Sequence, residues 1–393
     1  MRILLANKFY YPRGGDCIYM LNVERLLKRH GHEVAVFSMQ YPENEESEWS
    51  RYWPSQMKRW NVLTRPFGDR EVKRRFIKLL NDFRPEVVHL NNIHTQLSPV
   101  IAQLAHERGI RVVWTLHDTK LVCPCYTCMR DGQWCSDCNR DKMQVVRHRC
   151  LHDSLLGSLI GYFEGQKWNK ETLQKNTDLF IAPSFFMADT CVDGGYDRKK
   201  FRVLCNFIET DKIRDPRLEK GDYYVFLGRL TAVKGIKTLC QATSTLPYKL
   251  IIIGGGGLEK ELRQSYADSE QITFVGQKGW EDIRPLLEGA RFMVLPAEWS
   301  ENNPLTVIEA QSLGTPVLGA RIGGIPELIE EGVSGMTFRS GNVAELREKI
   351  QQMFEKKFDY SQIAKEAIKR YSSEVYYKNL MQCYTSEERK RNK

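Results

Sequence analysis

The feature that most constrains the fold is a segment near residue 300 that reads as strand, loop, helix and strand. The apolar run Phe292–Leu295 is typical of a buried parallel strand. A short polar loop follows, and a helical pattern begins at Pro304, where proline suits the first helical position. Asn302 and Asn303 are residue types that cap helices. The backbone N–H groups of the first turn are therefore predicted to form an anion site.

Two carboxylates flank this predicted helix start. Glu301 precedes the helix, and Glu309 lies more than one turn inside it. A single helical glutamate is usually a solvated surface residue. A carboxylate can also accept both hydrogen bonds of a vicinal diol, and a pair beside an anion site makes a functional role possible.

Strand and helix patterns alternate along the whole chain, which predicts a doubly wound α/β architecture. A length of 393 residues suits two or three domains, and the chain is predicted to cross from the first to the second near Asn206. Further strands are predicted at residues 2–6, 33–38, 87–90, 112–116, 178–182 and 202–205, and then at 223–227, 250–253 and 272–275.

The composition, with 42% hydrophobic and 27% charged residues, is ordinary for a soluble protein. The first residues lack the long apolar segment of a signal peptide, and no apolar run approaches the roughly 18 residues of a spanning helix. These features predict a cytoplasmic protein.

The N-terminal half carries most of the net positive charge of +9: residues 1–205 contain 31 Lys and Arg against 23 Asp and Glu. Much of the excess lies in a basic aromatic stretch, which suits an anionic bilayer or nucleic acid, although a solvated helix face is the plainer alternative. The stretch comprises Arg51, Lys58, Arg59, Arg65, Arg70, Lys73, Arg74, Arg75, Lys78 and Arg84, with Tyr52, Trp53, Trp60, Phe67 and Phe76 between them.

Six of the eleven cysteines lie between Cys123 and Cys150. The pairs Cys125/Cys128 and Cys135/Cys138 have the C-x2-C spacing that lets two thiolates chelate one tetrahedral ion. In a reducing compartment such clustering favours a structural zinc over disulfides. His148 and His152 are further candidate ligands, and no set of His and Glu supports a catalytic zinc.

Polar residues follow several predicted strands of the first half, where open α/β sheets bind ligands. The pair Gly14-Gly15 follows the first strand, residues 89–94 include His89 and His94, and His117 ends another strand. A lone histidine is more often structural, but two at neighbouring strand ends make a functional role as plausible as a structural one. The polar, tryptophan-rich residues 40–66 are predicted to form an irregular loop that carries function.

These segments together resemble the retaining nucleotide-sugar glycosyltransferases of family 4, which have the GT-B fold. The resemblance rests on Glu301–Ala310 with its two glutamates, the Gly-Thr-Pro-Val strand at Gly314, the Gly-Gly-Ile-Pro-Glu turn at Gly323, and Gly228–Gly235 with Arg229 and Lys234. It implies two Rossmann-like domains facing across a cleft. Residues 1–205, with the cysteine-rich loop 123–150 and the C-terminal helix 372–393, would bind the acceptor, and residues 206–371 would bind the nucleotide sugar.

The resemblance also implies roles for particular residues. Glu301 would hold the donor sugar and Glu309 the ribose, Arg229 and Lys234 would face the diphosphate, and His117 would lie beside the sugar. His94 would face the acceptor. The remaining implied donor-site residues are Gly15, Gly276, Asn302, Asn303, Pro304, Leu305 and Thr306, and the implied zinc ligands are Cys123, Cys135, Cys138 and Cys150. Cys125 and Cys128 depart from the family pattern and could replace one or two of these ligands.

The resulting hypothesis is a retaining glycosyltransferase without a catalytic metal, in which the leaving diphosphate assists a front-face transfer. Its donor would be a UDP- or GDP-sugar, and its acceptor a glycan linked to polyprenyl diphosphate. Such a step belongs to capsule, exopolysaccharide or O-antigen assembly, on the inner face of the membrane and without nucleic acid as a partner. The alternatives are a zinc-containing nucleic-acid-binding protein and an epimerase or phosphorylase of the GT-B fold.

Overall fold

The computed structural model describes residues 1–56, 63–209 and 212–385. Residues 58–60 of the basic aromatic stretch and the basic tail at 389–393 lie outside the described residues. The chain divides into two compact units. The first unit comprises Met1–Cys205 and the segment from Tyr377, and the second comprises Asn206–Tyr376.

Each unit is built on a six-stranded parallel sheet, as the alternating sequence pattern predicts. The strands of the first unit are β1 Arg2–Ala6, β2 Glu33–Phe37, β3 Val87–Leu90, β4 Arg111–Thr115, the short pair β5 Met129–Arg130 and β6 Gln133–Trp134, β7 Leu179–Ala182 and β8 Phe201–Val203. The strands of the second unit are β9 Tyr223–Leu227, β10 Lys249–Ile253, β11 Ile272–Gly276, β12 Met293–Leu295, β13 Val317–Ala320 and β14 Gly335–Phe338.

The helices pack on the faces of these sheets. They are α1 Gly15–Arg29, α2 Arg70–Phe83, α3 Val100–His106, α4 Gln144–Arg147, α5 Leu155–Lys167, α6 Lys170–Asn176, α7 Phe185–Asp193, α8 Ile236–Thr243, α9 Glu259–Ser265, α10 Trp280–Gly289, α11 Leu305–Ser312, α12 Val343–Glu355, α13 Tyr360–Tyr371 and α14 Ser373–Thr385. Within the described residues, no helix is both long and apolar enough to cross a membrane.

The strand order of each sheet reverses direction at one point. The first sheet runs β2-β1-β3-β4-β7-β8 and the second runs β11-β10-β9-β12-β13-β14. The order therefore switches between β1 and β3 in the first unit, and between β9 and β12 in the second. Loops that leave the carboxyl ends of such neighbouring strands diverge and open a crevice, which is where parallel α/β sheets bind ligands.

The strands are readable from the sequence because both faces of a parallel sheet are covered, so buried strands are continuous apolar runs. In β1, Ile3 through Ala6 have no exposed surface, and in β9 the central residues Tyr224, Val225 and Phe226 have none either. The observed ends of β1, β3 and β9 coincide with the predicted ones, and most others differ by one residue.

The tryptophan-rich region 40–66, predicted to be an irregular functional loop, also contributes to the core at several points. Trp53 is buried and its Nε1 donates to the carbonyl of Val36 at 2.8 Å. Arg65 is fully buried and donates to a carboxylate oxygen of Glu71 at 2.9 Å and to the carbonyl of Ser55 at 3.0 Å. Of the basic aromatic stretch, Arg65 therefore has a structural role.

The C-terminal helix α14 is anchored in the core of the first unit. The hydroxyl of Tyr384 lies 2.7 Å from Nδ1 of His89, and the guanidinium of Arg111 donates to the carbonyl of Cys383 at 2.9 Å. The opposite ring nitrogen of His89 lies 2.7 Å from the hydroxyl of Thr115. His89 is completely buried, so this strand-end histidine is structural rather than exposed to a ligand.

Candidate active site

The loops that follow β9 and β12 carry the charged residues of the predicted donor site. Arg229 and Lys234 follow β9, and Glu301 follows β12. Nζ of Lys234 lies 2.5 Å from Oε1 of Glu301, and both side chains are mostly buried. Arg229 is exposed on the same loop and forms no ion pair within residues 212–385. The crevice of the second sheet thus contains the ammonium of Lys234, paired with the carboxylate of Glu301, and the exposed guanidinium of Arg229.

Two glycines allow the backbones of these loops to approach each other closely. Gly235 has φ +68°, and a Cβ added there would lie 1.7 Å from the carbonyl oxygen of Pro296. Gly323 has φ +60°, and its added Cβ would lie 2.2 Å from the carbonyl oxygen of Glu301. The next residue, Gly324, donates its N–H to that same oxygen at 2.7 Å. The Gly-Gly turn therefore fixes the backbone of Glu301, because only glycine fits so close an approach.

The helix start at residue 304 differs from the prediction in two ways. α11 begins at Leu305, and Pro304 is the extended N-cap residue with ψ 119°. Asn303 does not cap the helix, since its Oδ1 accepts from the backbone N–H of Asn206 at 2.8 Å and its carbonyl accepts from the Asn206 side chain at 2.7 Å. A buried amide tied to a distant segment overrides the local capping preference. Asn302 is half-buried beside it, and Thr306 lies in the first turn.

Glu309 lies on α11 and is paired with a lysine that sequence patterns did not indicate. Its Oε1 is 2.9 Å from Nζ of Lys212, and that ammonium lies 4.4 Å from the ring centroid of Trp280. Lys212 is 97 residues away along the chain, so no local spacing links it to Glu309. Trp280 could have been identified from the sequence, because it is the first residue of the helix that follows β11, the strand that ends at Gly276.

Gly276 ends β11 in a left-handed conformation, with φ +76°. Its carbonyl accepts from the N–H of Gly254 at 2.9 Å. Gly254 in turn leaves no room for a side chain, because an added Cβ would lie 2.0 Å from the carbonyl oxygen of Gly228. The glycine run after β10 is therefore required for packing against the neighbouring loop that carries Arg229.

In the first unit, polar side chains gather at the carboxyl ends of β1, β3 and β4. Nε2 of His117 lies 3.1 Å from Oδ1 of Asn91, and Nδ2 of Asn92 donates to Asp16 at 3.1 Å. Burial lowers the pKa of His117 to about 4, although the charge of Asp16 works against that shift. His117 is therefore neutral at pH 7, with one nitrogen able to donate and the other able to accept.

Asp16 is a residue of this site that sequence reasoning missed. Burial would raise its pKa, but His117, Lys8 and the hydrogen bond from Asn92 outweigh burial and lower it. Asp16 could have been identified from the sequence, because it is an acidic residue in the first turn of α1 and directly follows the glycine pair. Gly15 begins that helix, is exposed, and has open space where a side chain would be.

His94, the predicted acceptor residue, lies on the loop after β3 but not in the cluster around His117. Its ring is 5.1 Å from that of Trp114, and burial lowers its pKa well below the ordinary value. His94 also lines a small cavity with Lys120, Lys142 and Glu164.

The cysteine-rich loop contains a hairpin, β5 and β6, that the sequence analysis did not predict. Cys128 and Cys135 flank it, and the N–H of Cys135 donates to the carbonyl of Cys128 at 2.8 Å. The sulfurs of Cys123 and Cys125 are 3.2 Å apart. Burial raises the pKa of the Cys138 thiol to about 12, and the thiolates of Cys123, Cys150 and Cys135 add to that shift.

The four implied zinc ligands are thus close enough to interact electrostatically. Within the residues that the structure describes, no group of three or more His, Cys, Asp or Glu side chains is arranged to hold a metal ion. The fit to zinc therefore rests on the spacing and proximity of the thiols, not on a completed coordination sphere.

Comparison with known proteins agrees with the motifs around both switch points. Residues 13–212 match the family described as Glycosyltransferase Family 4, and residues 208–370 match Glycosyl transferases group 1. The chain belongs to glycosyltransferase family 4. A relative of this family 4 glycosyltransferase is a 42.6 kDa protein of the cps region of Klebsiella pneumoniae, which is 25% identical over 84% of this chain and 87% of its own length.

Solved structures show that this family 4 glycosyltransferase has the GT-B fold. The lipopolysaccharide outer core galactosyltransferase WaaB aligns with a TM-score of 0.68 and 15% identity over 98% of this chain and 99% of its own. HepE of Anabaena, solved in complex with UDP, aligns with a TM-score of 0.68 and 16% identity over 98% of this chain and all of its own.

Proposed function

We propose that this glycosyltransferase moves a sugar, with retention of configuration, from a nucleoside diphosphate sugar to a lipid-linked glycan. The second unit binds the donor. The observation that carries this proposal is the cluster at the β9–β12 switch point, where Lys234, Glu301 and the exposed Arg229 meet. A crevice with two cations and a carboxylate suits a ligand that combines a diphosphate with neighbouring hydroxyls.

The proposed chemistry depends on stabilising the departing diphosphate. Arg229 and Lys234 supply positive charge on one loop, and the backbone N–H groups at the start of α11 are proposed to supply donors around Leu305 and Thr306. Two fixed cations can serve where other enzymes use a metal, so no catalytic metal is required. Glu301 is proposed to hold the sugar hydroxyls and Glu309 the ribose, each exchanging its lysine partner for the ligand.

Uridine diphosphate is the favoured nucleotide, with guanosine diphosphate as the alternative. HepE, which shares the fold, has been solved with UDP and with UDP-glucose. Trp280 lies beside the Lys212–Glu309 pair in this chain, and an indole there offers an apolar face to a base or ribose.

The first unit is proposed to bind the acceptor. Its cluster of His117, Asp16 and the two asparagines after β3 is rich in hydrogen-bonding groups, which suits sugar hydroxyls. The relative in the cps region and the lipopolysaccharide enzyme WaaB support a role in bacterial surface polysaccharide assembly. The acceptor is accordingly proposed to be a growing glycan on polyprenyl diphosphate, reached from the cytoplasmic face.

Thermal unfolding with a panel of nucleoside diphosphates and their sugars tests the donor site. A ligand at about 100 times its dissociation constant adds roughly 2.7 kcal/mol of stability. We expect a shift selective for one nucleotide, and its loss in Glu309→Ala. Glu261→Ala is the matched control, because Glu261 also pairs with a lysine, Lys237 at 2.6 Å, but is exposed on α9.

A folded protein whose stability responds to no nucleotide would contradict the proposal. Once the donor is known, NMR of the product tests retention, since an inverted anomeric configuration would rule out that part of the mechanism. An enzyme that consumes donor at full rate without any glycan acceptor, beyond slow hydrolysis, would instead be an epimerase or phosphorylase.

A further inference from the structure

Helix α5 has the reverse of the usual amphipathic arrangement. Its buried residues are Ser158, Gly161 and Glu164. Leu155, Leu156 and Phe163 are 51%, 65% and 56% exposed. A helix on the surface of a globular domain normally buries its large apolar side chains and exposes its polar ones. An exposed row of large apolar residues generally marks an interaction surface.

The inner face explains how α5 is held without an apolar stripe. Glu164 pairs with Lys120 at 2.9 Å, and both side chains are less than 10% exposed. A Cβ on Gly161 would lie 2.2 Å from a methyl carbon of Leu151, and one on Gly165 would lie 3.2 Å from the Lys142 side chain. Small residues and a buried ion pair therefore attach α5 closely, and its large apolar residues are left on the outside.

Basic residues are exposed on α5 and on the α4 segment that packs against it. Arg147, His148 and Arg149 are exposed at the end of α4, and Arg147 also contacts Asp141 at 3.1 Å. Lys167, at the end of α5, is exposed, and its ammonium donates to the carbonyl of Phe67 at 2.7 Å.

The basic aromatic stretch identified in the sequence thus adjoins α5. Burial and the nearby charge of Lys73, on α2, lower the pKa of Lys167. Between residues 144 and 170 the carboxylates are the buried Glu164 and the exposed Asp153. The outer face of α5 is therefore apolar, and the side chains of Arg147, Arg149 and Lys167 are exposed on it or on the adjoining α4 segment.

We propose that α5 is a membrane-docking helix that lies in the interface of an anionic bilayer. Leu155, Leu156 and Phe163 enter the boundary between headgroups and acyl chains, while Arg147, Arg149 and Lys167 contact anionic headgroups. A helix of 13 residues is too short to span a bilayer, for which about 20 residues are needed, and it lies parallel to the surface instead. The exposed basic residues on α5 and on the α4 segment favour an anionic lipid surface over an apolar protein partner.

Vesicle co-sedimentation at low salt tests the proposal with the full-length protein. The probes are vesicles of phosphatidylcholine alone and of phosphatidylcholine with an equal part of phosphatidylglycerol. We expect binding to the anionic vesicles only, weakened by added salt. The double variant Leu156→Glu/Phe163→Glu is expected to bind at least about tenfold more weakly, because each change places a charge at the acyl boundary.

The matched control is Leu218→Glu/Val333→Glu, which makes the same changes at exposed apolar residues of the second unit, 63% and 47% exposed in turn. It should bind vesicles as the unchanged protein does. Equal binding by the α5 variant and this control, or no preference for anionic vesicles, would overturn the proposal. So would a dimer in analytical ultracentrifugation that only the α5 variant abolishes, since α5 would then be a self-association surface.

This inference does not depend on the identity of the donor. Both double variants should keep the nucleotide-induced rise in melting temperature, because the changed residues lie outside the donor crevice. Loss of vesicle binding with an intact nucleotide shift supports the docking helix, while a missing nucleotide shift in the unchanged protein would refute only the proposed donor.

Discussion

Gly235 occupies a position beside the donor loops that no side chain can fill. Its backbone has φ +68°, and an added Cβ would lie 1.7 Å from the carbonyl oxygen of Pro296. We predict that Gly235→Ala lowers the free energy of unfolding by more than about 1 kcal/mol, because left-handed backbone strain alone costs about 1–3 kcal/mol. Urea denaturation measures the change.

Gly257 provides the control for this substitution. It belongs to the glycine run after β10, but an added Cβ there meets nothing within 4 Å. Gly257→Ala should therefore change stability by less than about 1 kcal/mol. Equal effects at the two positions would show that the close approach of the Gly235 and Pro296 loops is not rigid.

Lys234 and Glu301 form a pair whose two members are proposed to have different partners when donor is bound. Lys234→Met removes a charge from the departing diphosphate and is expected to lower kcat by about two to three orders of magnitude. Lys237→Met, on the exposed side of α8, is the control. A variant at Lys234 that changes KM alone would indicate that this lysine binds the donor without assisting departure of the diphosphate.

His89 makes stability depend on pH. Burial lowers its pKa to about 3, against an ordinary value of 6.5, so the unfolded chain binds a proton more readily than the folded one. Stability is therefore unaffected by this group above pH 6.5 and falls as the pH drops from 6.5 towards 3. His89→Gln should reduce that slope by up to about 1.4 kcal/mol per pH unit.

Urea unfolding between pH 5 and 8 measures this slope. His94 and His117 also have lowered pKa values, so part of the pH dependence should remain in the His89 variant. Identical slopes for the variant and the unchanged protein would show that His89 does not stay neutral in the fold.

The residues of the candidate site could be predicted from sequence only where they share a local motif. Glu301, Lys234 and Arg229 each follow a strand in a recognisable phrase, and the structure brings their loops to one switch point. Lys212 and Trp280 were missed because the contacts of Lys212 with Glu309 and with Trp280 join segments far apart in the chain, which local spacing does not encode.

At the scale of elements, buried strands were predicted more precisely than helix starts. β1, β3 and β9 are mostly apolar, with Arg2 and His89 as the exceptions, and each is followed by a loop that contains polar residues. The start of α11 was misplaced by one residue because Asn303 is engaged by Asn206 rather than by the helix. The β5–β6 hairpin was missed because strands of two residues are too short to show a period.

The cysteine-rich loop is proposed to hold a structural zinc. We expect about one zinc per chain by elemental analysis, and a lower melting temperature after chelation, because a metal that binds only the folded loop stabilises it. Cys135→Ser should lose both the metal and the response to chelator. Cys205→Ser, outside the loop, should keep both; a metal-free protein with unchanged stability in chelator would contradict the proposal.

At the scale of the molecule, each unit has its own parallel sheet and its own apolar core. Apart from Gly15, the residues proposed to bind the donor nucleotide lie in the second unit, from Lys212 to Glu309. Calorimetry should therefore resolve more than one transition, and a saturating nucleotide should raise the one that belongs to the second unit.

This prediction can be checked by assigning the transitions with Phe292→Ala, which opens a cavity in the core of the second unit. The transition lowered by that substitution should be the one raised by nucleotide. A single transition that shifts as a whole would show that the two units unfold together.

The path of α14 also affects the order in which the two units can complete their folding. The helix starts in the second unit, at Ser373, and ends with Tyr384 bonded to His89 in the first. During synthesis, the partners of His89 and Arg111 emerge from the ribosome only after the whole second unit. The unit that is synthesised first is thus completed last. Until then its core is incompletely packed, and it must avoid aggregation in that state or with the help of a chaperone.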